Sequence, residues 1–323
     1  MQSAITSDPA SNFHVKRINN LYGNTLSSIT SILIGVVLVV MVLSSSSGNQ
    51  TLTIWVTFML SAAALRSGLW FMHRTRMDDP QGARWWEFGY AATMFVTGIG
   101  WGALSGPLYP INPSAHVFIL VLTMVVGFSG AIYSSVSRLS FFMFALPSVL
   151  PSMLRFVWTL NPTDQFAGAL ASAGGILVLI NVHETLHRFA IRQLRHEVEI
   201  ETLLTEQETI FQTVSAGIAV IRDGQTIKCN SRLGEILGSS LKSIYSKPFG
   251  EFFSSAEDAK TILNVPVESR QDGESIYALY RMRRGDGREF LAELSGRPMA
   301  GSPGGDIIWL ISDVGRRDRR ADD

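Results

Sequence analysis

One cysteine, Cys229, occurs in 323 residues. An internal disulfide is therefore excluded, and a reducing compartment suits the half that carries it. Acids are scarce early on: the first 183 residues contain only Asp8, Asp78, Asp79, Glu87 and Asp164. No basic stripe stands out either, since 27 Lys and Arg balance 27 Asp and Glu, and nucleic acid is not expected as a partner. Histidine stops at His196. A Walker loop and a Ser/His/Asp arrangement are both missing from the second half, so no catalytic residue is assigned there. No small-residue cleavage site follows the first apolar run, which reads as an uncleaved signal-anchor.

What is present is apolar. Hydrophobic residues make up 46% of the chain, and a mean hydropathy of +0.21 averages two unlike halves that meet near residue 186. Six stretches, at Leu26–Leu43, Thr51–Met72, Phe88–Leu104, Ala115–Ser134, Ser140–Leu160 and Ala167–Leu186, are each long enough to cross a hydrocarbon core. In lipid only a helix or a closed barrel satisfies its own backbone, and these lengths suit helices. The stretches 44–50, 105–114 and 161–166 contain no Lys or Arg. The alternate stretches carry Lys16, Arg17, Arg74, Arg76, Arg84, Arg138, Arg188, Arg192 and Arg195. All nine fall on one side, which the positive-inside rule makes the cytoplasm, together with both termini. Trp55, Trp70, Trp85, Trp86 and Trp158 lie near span ends, where an interfacial aromatic belt is expected. Residues 1–25 read as a tail and a short interfacial helix with Phe13, Val15, Ile18 and Tyr22 on its apolar face.

Within the spans, Gly98, Gly102 and Gly106 recur every four residues and suit close helix packing. Pro147 and Pro151 are expected to kink the fifth span. Arg66 and Arg155 are the charges well inside spans; each is near enough to an end to snorkel, and each is also a candidate for signal relay. His183-Glu184-Thr185-Leu186-His187 spells H-E-x-x-H, whose histidines share a helix face and could share a metal. His73 is the available third ligand, because His196 is turned off that face. The plain reading of the motif is a polar helix end leaving the bilayer. A membrane metallopeptidase, or a small transporter using the Pro147, Pro151 and Arg155 region, is the alternative.

Residues 187–211 lack Gly and Pro and read as a linker helix. The stripe Ile191, Leu194, Val198 is offset from Ile200, Leu203, Gln207, Ile210, Val214, as in a short dimeric coiled coil with a stutter. Residues 212–315 read as α+β, and 316–323 as a charged tail. Strands are expected at Gly217–Ile221 and Thr226–Cys229 around an Arg222-Asp223-Gly224 turn. A helix capped by Asn230 and closed by Gly238 follows, then helix-prone segments at Phe249–Phe253 and Ala256–Leu263. Strands at Ser275–Arg284, Arg288–Pro298 and Asp306–Val314 complete the module, the first two joined by Gly285-Asp286-Gly287.

This order resembles a PAS domain. The resemblance rests on Gly217-Ile-Ala-Val-Ile221, Cys229-Asn230, Arg283-Arg-Gly-Asp-Gly287, Ser295-Gly-Arg-Pro298 and Trp309 with Asp313-Val314. It implies a five-stranded antiparallel sheet over small helices, enclosing a ligand pocket or a closed core. The candidate lining is Ile218, Val220, Ile227, Cys229, Leu233, Leu237, Phe252, Leu263, Phe290, Leu294 and Leu310, with Asn230, Trp309 and Asp313 as relay candidates. Without a later histidine, a His-ligated haem has no ligand here. Cys229 lies at a strand end rather than in the helix motif of flavin photoreceptors, so a covalent flavin is not expected, and no cofactor is identified. The family often ends in Asp, Ile or Val, Thr, Glu, then basic residues; here Asp313-Val314 is followed by Gly315-Arg316-Arg317, so the Thr and Glu positions are lost. Gly304-Gly305-Asp306-Ile307 is only faintly similar to a cyclase signature, and His196-Glu197-Val198 to a phosphoacceptor box. The whole layout is similar to the input halves of bacterial membrane-bound sensor kinases and diguanylate cyclases. It implies a non-enzymatic, homodimeric sensory protein of the bacterial inner membrane, acting through a kinase or cyclase partner or forming the input portion of a longer signalling protein.

Overall fold

The structure, a computed structural model, describes residues 9–44, 49–75, 82–263, 276–299 and 306–315. Residues 1–8, Arg76, Ser275, Gly304, Gly305 and the tail 316–323 lie outside the described residues, as does the side chain of Leu263. The chain separates into two compact units, Met1–Glu201 and Thr202–Asp323.

The first unit is helical: α1 (Pro9–Gly23), α2 (Thr25–Leu43), α3 (Asn49–Thr75), α4 (Ala83–Gly102), α5 (Pro113–Tyr133), α6 (Arg138–Thr159) and the first part of α7 (Pro162–Thr213). Five stretches are long and apolar enough to cross a membrane: Phe13–Leu43, Gln50–Thr75, Ala115–Tyr133, Arg138–Thr159 and Pro162–Thr213. The expected third of six spans, now α4, is not among them; Arg84, Glu87 and its glycines dilute its apolar character. Many outward side chains on the other helices are large and apolar, among them Met41, Ile54, Phe71, Leu154, Leu170 and Leu177. A helix apolar all round has no face suited to water.

Inside the unit, α4 packs along α6 through its glycines. A Cβ at Gly102 would lie 2.0 Å from the Pro147 carbonyl oxygen, and one at Gly98 would lie 2.7 Å from that of Phe144. Gly106, by contrast, has only the Ala103 oxygen within 4 Å, at 3.7 Å, and takes no part in this contact. Two expectations are corrected. Trp55 is no belt residue: it is 4% exposed, and its Nε1 donates to the Gly100 oxygen at 2.6 Å. The apolar face of α1 is not left for an interface either, because Ile18, Leu21 and Tyr22 are buried in the helical core.

Ion pairs gather where the basic residues were expected. Arg17 Nη2 meets Glu87 Oε2 at 2.5 Å, and Ser137, the N-cap of α6, donates to Glu87 Oε1 at 2.8 Å. Arg138 grips Glu184 through two hydrogen bonds, at 2.5 and 3.0 Å.

The second unit holds the end of α7 and an antiparallel sheet of order β2-β1-β5-β4-β3. Its strands are β1 (Gly217–Arg222), β2 (Gln225–Cys229), β3 (Ile276–Arg283), β4 (Glu289–Pro298) and β5 (Ile307–Asp313). The two-residue turn between β1 and β2 puts Asp223 and Gly224 at φ 49° and 76°, the left-handed pair a tight hairpin requires. Between β2 and β3 come α8 (Ser231–Leu237), α9 (Leu241–Ser246), a 3₁₀ turn at Phe249–Phe252 and α10 (Ala256–Leu263). Sequence reasoning did not single out α9; its signal was Ser240, whose side chain caps the Ser243 amide.

The core lies between one sheet face and these helices. Ala219, Ile221, Met282, Ala292, Leu294, Trp309 and Ile311 pack with Leu233, Leu237, Ile244, Phe249, Phe252 and Ile262. Gly296 lets Trp309 lie flat against the sheet, since a Cβ there would fall 2.5 Å from the indole ring.

Replacing Gly102 by Val should weaken the helical unit by about 1–3 kcal/mol, the usual range for overpacking. Thermal denaturation of the detergent-purified chain reads this as a lower Tm, whereas Gly106→Val should be milder. Equal Tm values for the two variants would refute the contact.

Candidate functional site

In the helical unit the informative side chain is Arg66. The expectation that it snorkels is overturned, for the residue is 2% exposed and turned inward. Its Nη1 donates to Ser28 Oγ at 2.6 Å, and its Nη2 to Thr97 Oγ1 and Met94 Sδ, both at 3.1 Å. Nε reaches Thr93 Oγ1 at 3.4 Å, and Cζ stands 5.8 Å from the Tyr90 ring centroid. Tyr90, Thr93, Met94 and Thr97 follow one another at three- and four-residue spacing, so one face of α4 serves the guanidinium. That spacing was the available signal. No carboxylate among the described residues pairs with Arg66. Arg155 behaves differently: it is exposed, with Cζ 5.0 Å from the Tyr109 ring centroid.

The histidines do not assemble into a metal site. His183 is buried, stacked on Phe141 at 3.8 Å, with Nδ1 3.4 Å from the Ala131 oxygen. His187 Nδ1 lies 2.7 Å from the Ser135 oxygen. A carbonyl only accepts, so both rings carry their proton on Nδ1. Glu184 is held by Arg138, and His73 stacks on Tyr22 at 4.0 Å with Trp86 edge-on. The candidate set His73, His183, Glu184 and His187 is therefore corrected. Among the described residues no three His, Cys, Asp or Glu side chains are placed to hold a metal.

In the second unit Asn230 is the pivot. Its Oδ1 accepts from the Ile218 amide at 2.8 Å and from the Leu233 amide at 3.0 Å. Its Nδ2 donates to the Phe211 and Ala216 oxygens, both at 3.0 Å. One buried amide thus caps α8, fixes the start of β1 and ties both to the end of α7. Gln212 Oε1 adds bonds from the Ser231 amide and hydroxyl, each 2.8 Å.

At the same end of the sheet, where the start of β1 pairs with the end of β5, Arg284 donates to Asp313 and to the Ile236 carbonyl, and lies over the Phe290 ring. Arg222 makes two 2.6 Å bonds to Asp306. Sequence reasoning singled out Asp313 but missed both arginines as partners. Each is separated from its acid by many residues, so no local pattern announced the pairing.

The candidate pocket lining divides. Cys229, Leu233, Leu237, Phe252 and Leu294 lie in the core, and Phe290 packs against it. Ile218 and Val220 are buried but stand outside that core cluster, alternating along β1 with Ala219 and Ile221. Ile227 and Leu310 are corrected, being 43% and 42% exposed. On β5 the alternation sends Trp309 and Ile311 inward and Leu310 out. On β2 the pairing slips opposite Val220 and Ile221, so that Thr226 rather than Ile227 is buried.

No protein-family model matches the chain, and no curated protein matches it significantly. Many solved structures are similar to part of it. One is the PAS domain of an HTR-like protein from Haloarcula marismortui, 21% identical over 37% of this chain and 98% of that one, TM-score 0.33. Another is the PAS domain, in complex with ethanol, of a LuxR-family transcriptional regulator from Burkholderia thailandensis. It is 20% identical over 33% of this chain and 96% of its own, TM-score 0.30. A LOV protein from Rhodobacter sphaeroides is 13% identical over 37% and 70% of the two chains, TM-score 0.31. Strand order and packing, described above, are what give the second unit its PAS-like five-stranded sheet.

Two outcomes follow from this geometry. Asn230→Ala removes a cap and strands two buried amides, a cost of about 3 kcal/mol. Hydrogen exchange at the Ile218 and Leu233 amides should accelerate by roughly 100-fold; unchanged protection would refute the role given to Asn230. Burial pushes the Cys229 thiol up, only partly offset by Tyr245. Its stabilising contribution is complete below the unfolded thiol range and is lost as pH rises through the elevated folded value. Maleimide labelling at neutral pH should be slow in the folded chain and fast in denaturant. Rapid native labelling would show that the thiol is open.

Proposed function

We propose that this chain is a membrane-bound sensory protein in which the helical unit and the PAS-like unit communicate through α7. The observation that carries the reading is α7 itself. It is one unbroken helix of 52 residues, about 78 Å long at 1.5 Å per residue. Its first half exposes Phe166, Leu170 and Leu177, as a lipid-facing surface would, and its second half is rich in Glu, Arg and Gln. The helix ends at the Asn230 hydrogen bonds, so any displacement of α7 pulls directly on β1 and α8.

Counting α4 as a sixth crossing makes the number even. Both termini then share the side of Lys16, Arg17, Arg138 and Arg188, the cytoplasmic side of a bacterial inner membrane by the positive-inside rule. Ile200, Leu203, Leu204 and Ile210 are exposed on α7, which suits pairing with a second copy. The partner that receives the signal is a kinase or a cyclase, a reading supported by the similarity of the whole layout to the input halves of such proteins.

Reporter fusions test the arrangement. Alkaline phosphatase inserted at residues 105–114 or 161–166 should be active, and a fluorescent protein placed after Gly315 should glow. An active phosphatase after Gly315 would overturn the cytoplasmic assignment. For the coupling, inserting one residue near Leu203 turns the helix by about 100°, and should alter output more than inserting seven.

A further inference from the structure

A cavity of about 170 Å³ lies among α2, α3, α4, α5 and α6, with Arg66 on its wall. Ser28 and Thr97, both bonded to the guanidinium, also line it. Ser31 and Tyr133, whose hydroxyls are 2.5 Å apart, add a second polar pair. Ile34, Leu38 and Val125 line it as well and are exposed on the outer surface of the helices, so the mouth faces outward between α2 and α5.

Among the described residues the charge balance is incomplete. Hydroxyls and a thioether occupy four of the five guanidinium donors, and Nη1 donates once only. None of these partners carries a negative charge, and an intramembrane cation without a counter-ion is costly. Were Arg66 merely a packing device, a neutral side chain of similar length would serve better in an apolar bundle. An oxyanion at this wall would supply the missing charge and accept from Nη1 in the geometry a guanidinium favours.

We propose that this cavity binds an amphiphilic oxyanion, a carboxylate or phosphate head on an apolar chain, which reaches Arg66 sideways from the bilayer. The volume is close to the roughly 150 Å³ that admits a benzene ring, so it takes the head and several carbons. The rest of the chain lies along Ile34, Leu38 and Val125. The inference rests on the membrane reading above and names the ligand class that α7 would report.

The test uses the full chain in nanodiscs of neutral phosphatidylcholine, titrated with radiolabelled decanoate. Saturable binding of one decanoate per chain is expected, with no competition from decanol, which has the same tail and a neutral head. Arg66→Met should weaken binding at least tenfold. Because that variant could misfold, Val125→Trp is the second arm: its exposed position leaves the Tm unchanged while the indole obstructs the mouth, again with at least tenfold loss. Competition by decyl phosphate, or by phosphatidylglycerol included in the disc, would support the site and assign the head to a phosphate or to a bilayer lipid. Equal competition by inorganic phosphate would overturn the need for an apolar chain. Decanol binding as well as decanoate, or undiminished binding in both variants, would overturn the proposal. A chain that fails to enter nanodiscs would overturn the membrane reading first, whereas incorporation without saturable binding would sink this inference alone.

Discussion

A polar group withdrawn from water must find partners inside the protein, and each unit of this chain is arranged around a side chain that meets this condition. In the helical unit it is Arg66, whose guanidinium draws Ser28 from α2 and Thr93, Met94 and Thr97 from α4. The register of three helices is tied to that one group. In the second unit it is Asn230, whose amide uses both its acceptor and its donor sides on four backbone groups. The difference between them matters. Asn230 is neutral and fully satisfied, whereas Arg66 has its hydrogen bonds but, among the described residues, no opposite charge. The first is a structural joint, and the second is a place where something more can bind.

The helical unit is organised by its lack of acids. With few carboxylates available, Glu87 and Glu184 are spent on Arg17 and Arg138 at one end of the helices, away from Arg66. Glycines on α4 allow α6 to approach to backbone contact at Phe144 and Pro147, the latter a proline inside that helix. Small residues at such crossings substitute dispersion for the hydrophobic drive that is weak between apolar surfaces in lipid. The histidines share this economy. His73 and His183 lie flat on Tyr22 and Phe141, rings packed as aromatic surface rather than ligands gathered for a metal.

The change from apolar to charged composition happens along α7. Its chemistry changes while the helix itself runs on from Pro162 to Thr213. Gln212 and Asn230 receive the end of the helix beside β1, the strand that β5 joins to the remainder of the sheet. Arg284 and Asp313 close the C-terminal end of β5, at this same end of the sheet, onto α8. These contacts make a continuous physical path within the second unit, which is a requirement for transduction though not a measure of it.

Features governed by neighbours in the chain were legible in the sequence alone. The apolar runs, the hairpin at Asp223-Gly224, the Asn230 cap and the left-handed Gly238 each depend on a few adjacent residues, and the structure places them where local chemistry requires. Which face of each element turns inward was decided only by tertiary packing. Ile227 and Leu310 are as apolar as their buried neighbours, yet a slipped register and a strand alternation send them outward. Arg66 and Trp55 read as residues bound for the interface, but partners 27 to 45 positions away hold them inside. Burial is a property of the assembled surfaces. No stretch of sequence carries it until distant segments have met.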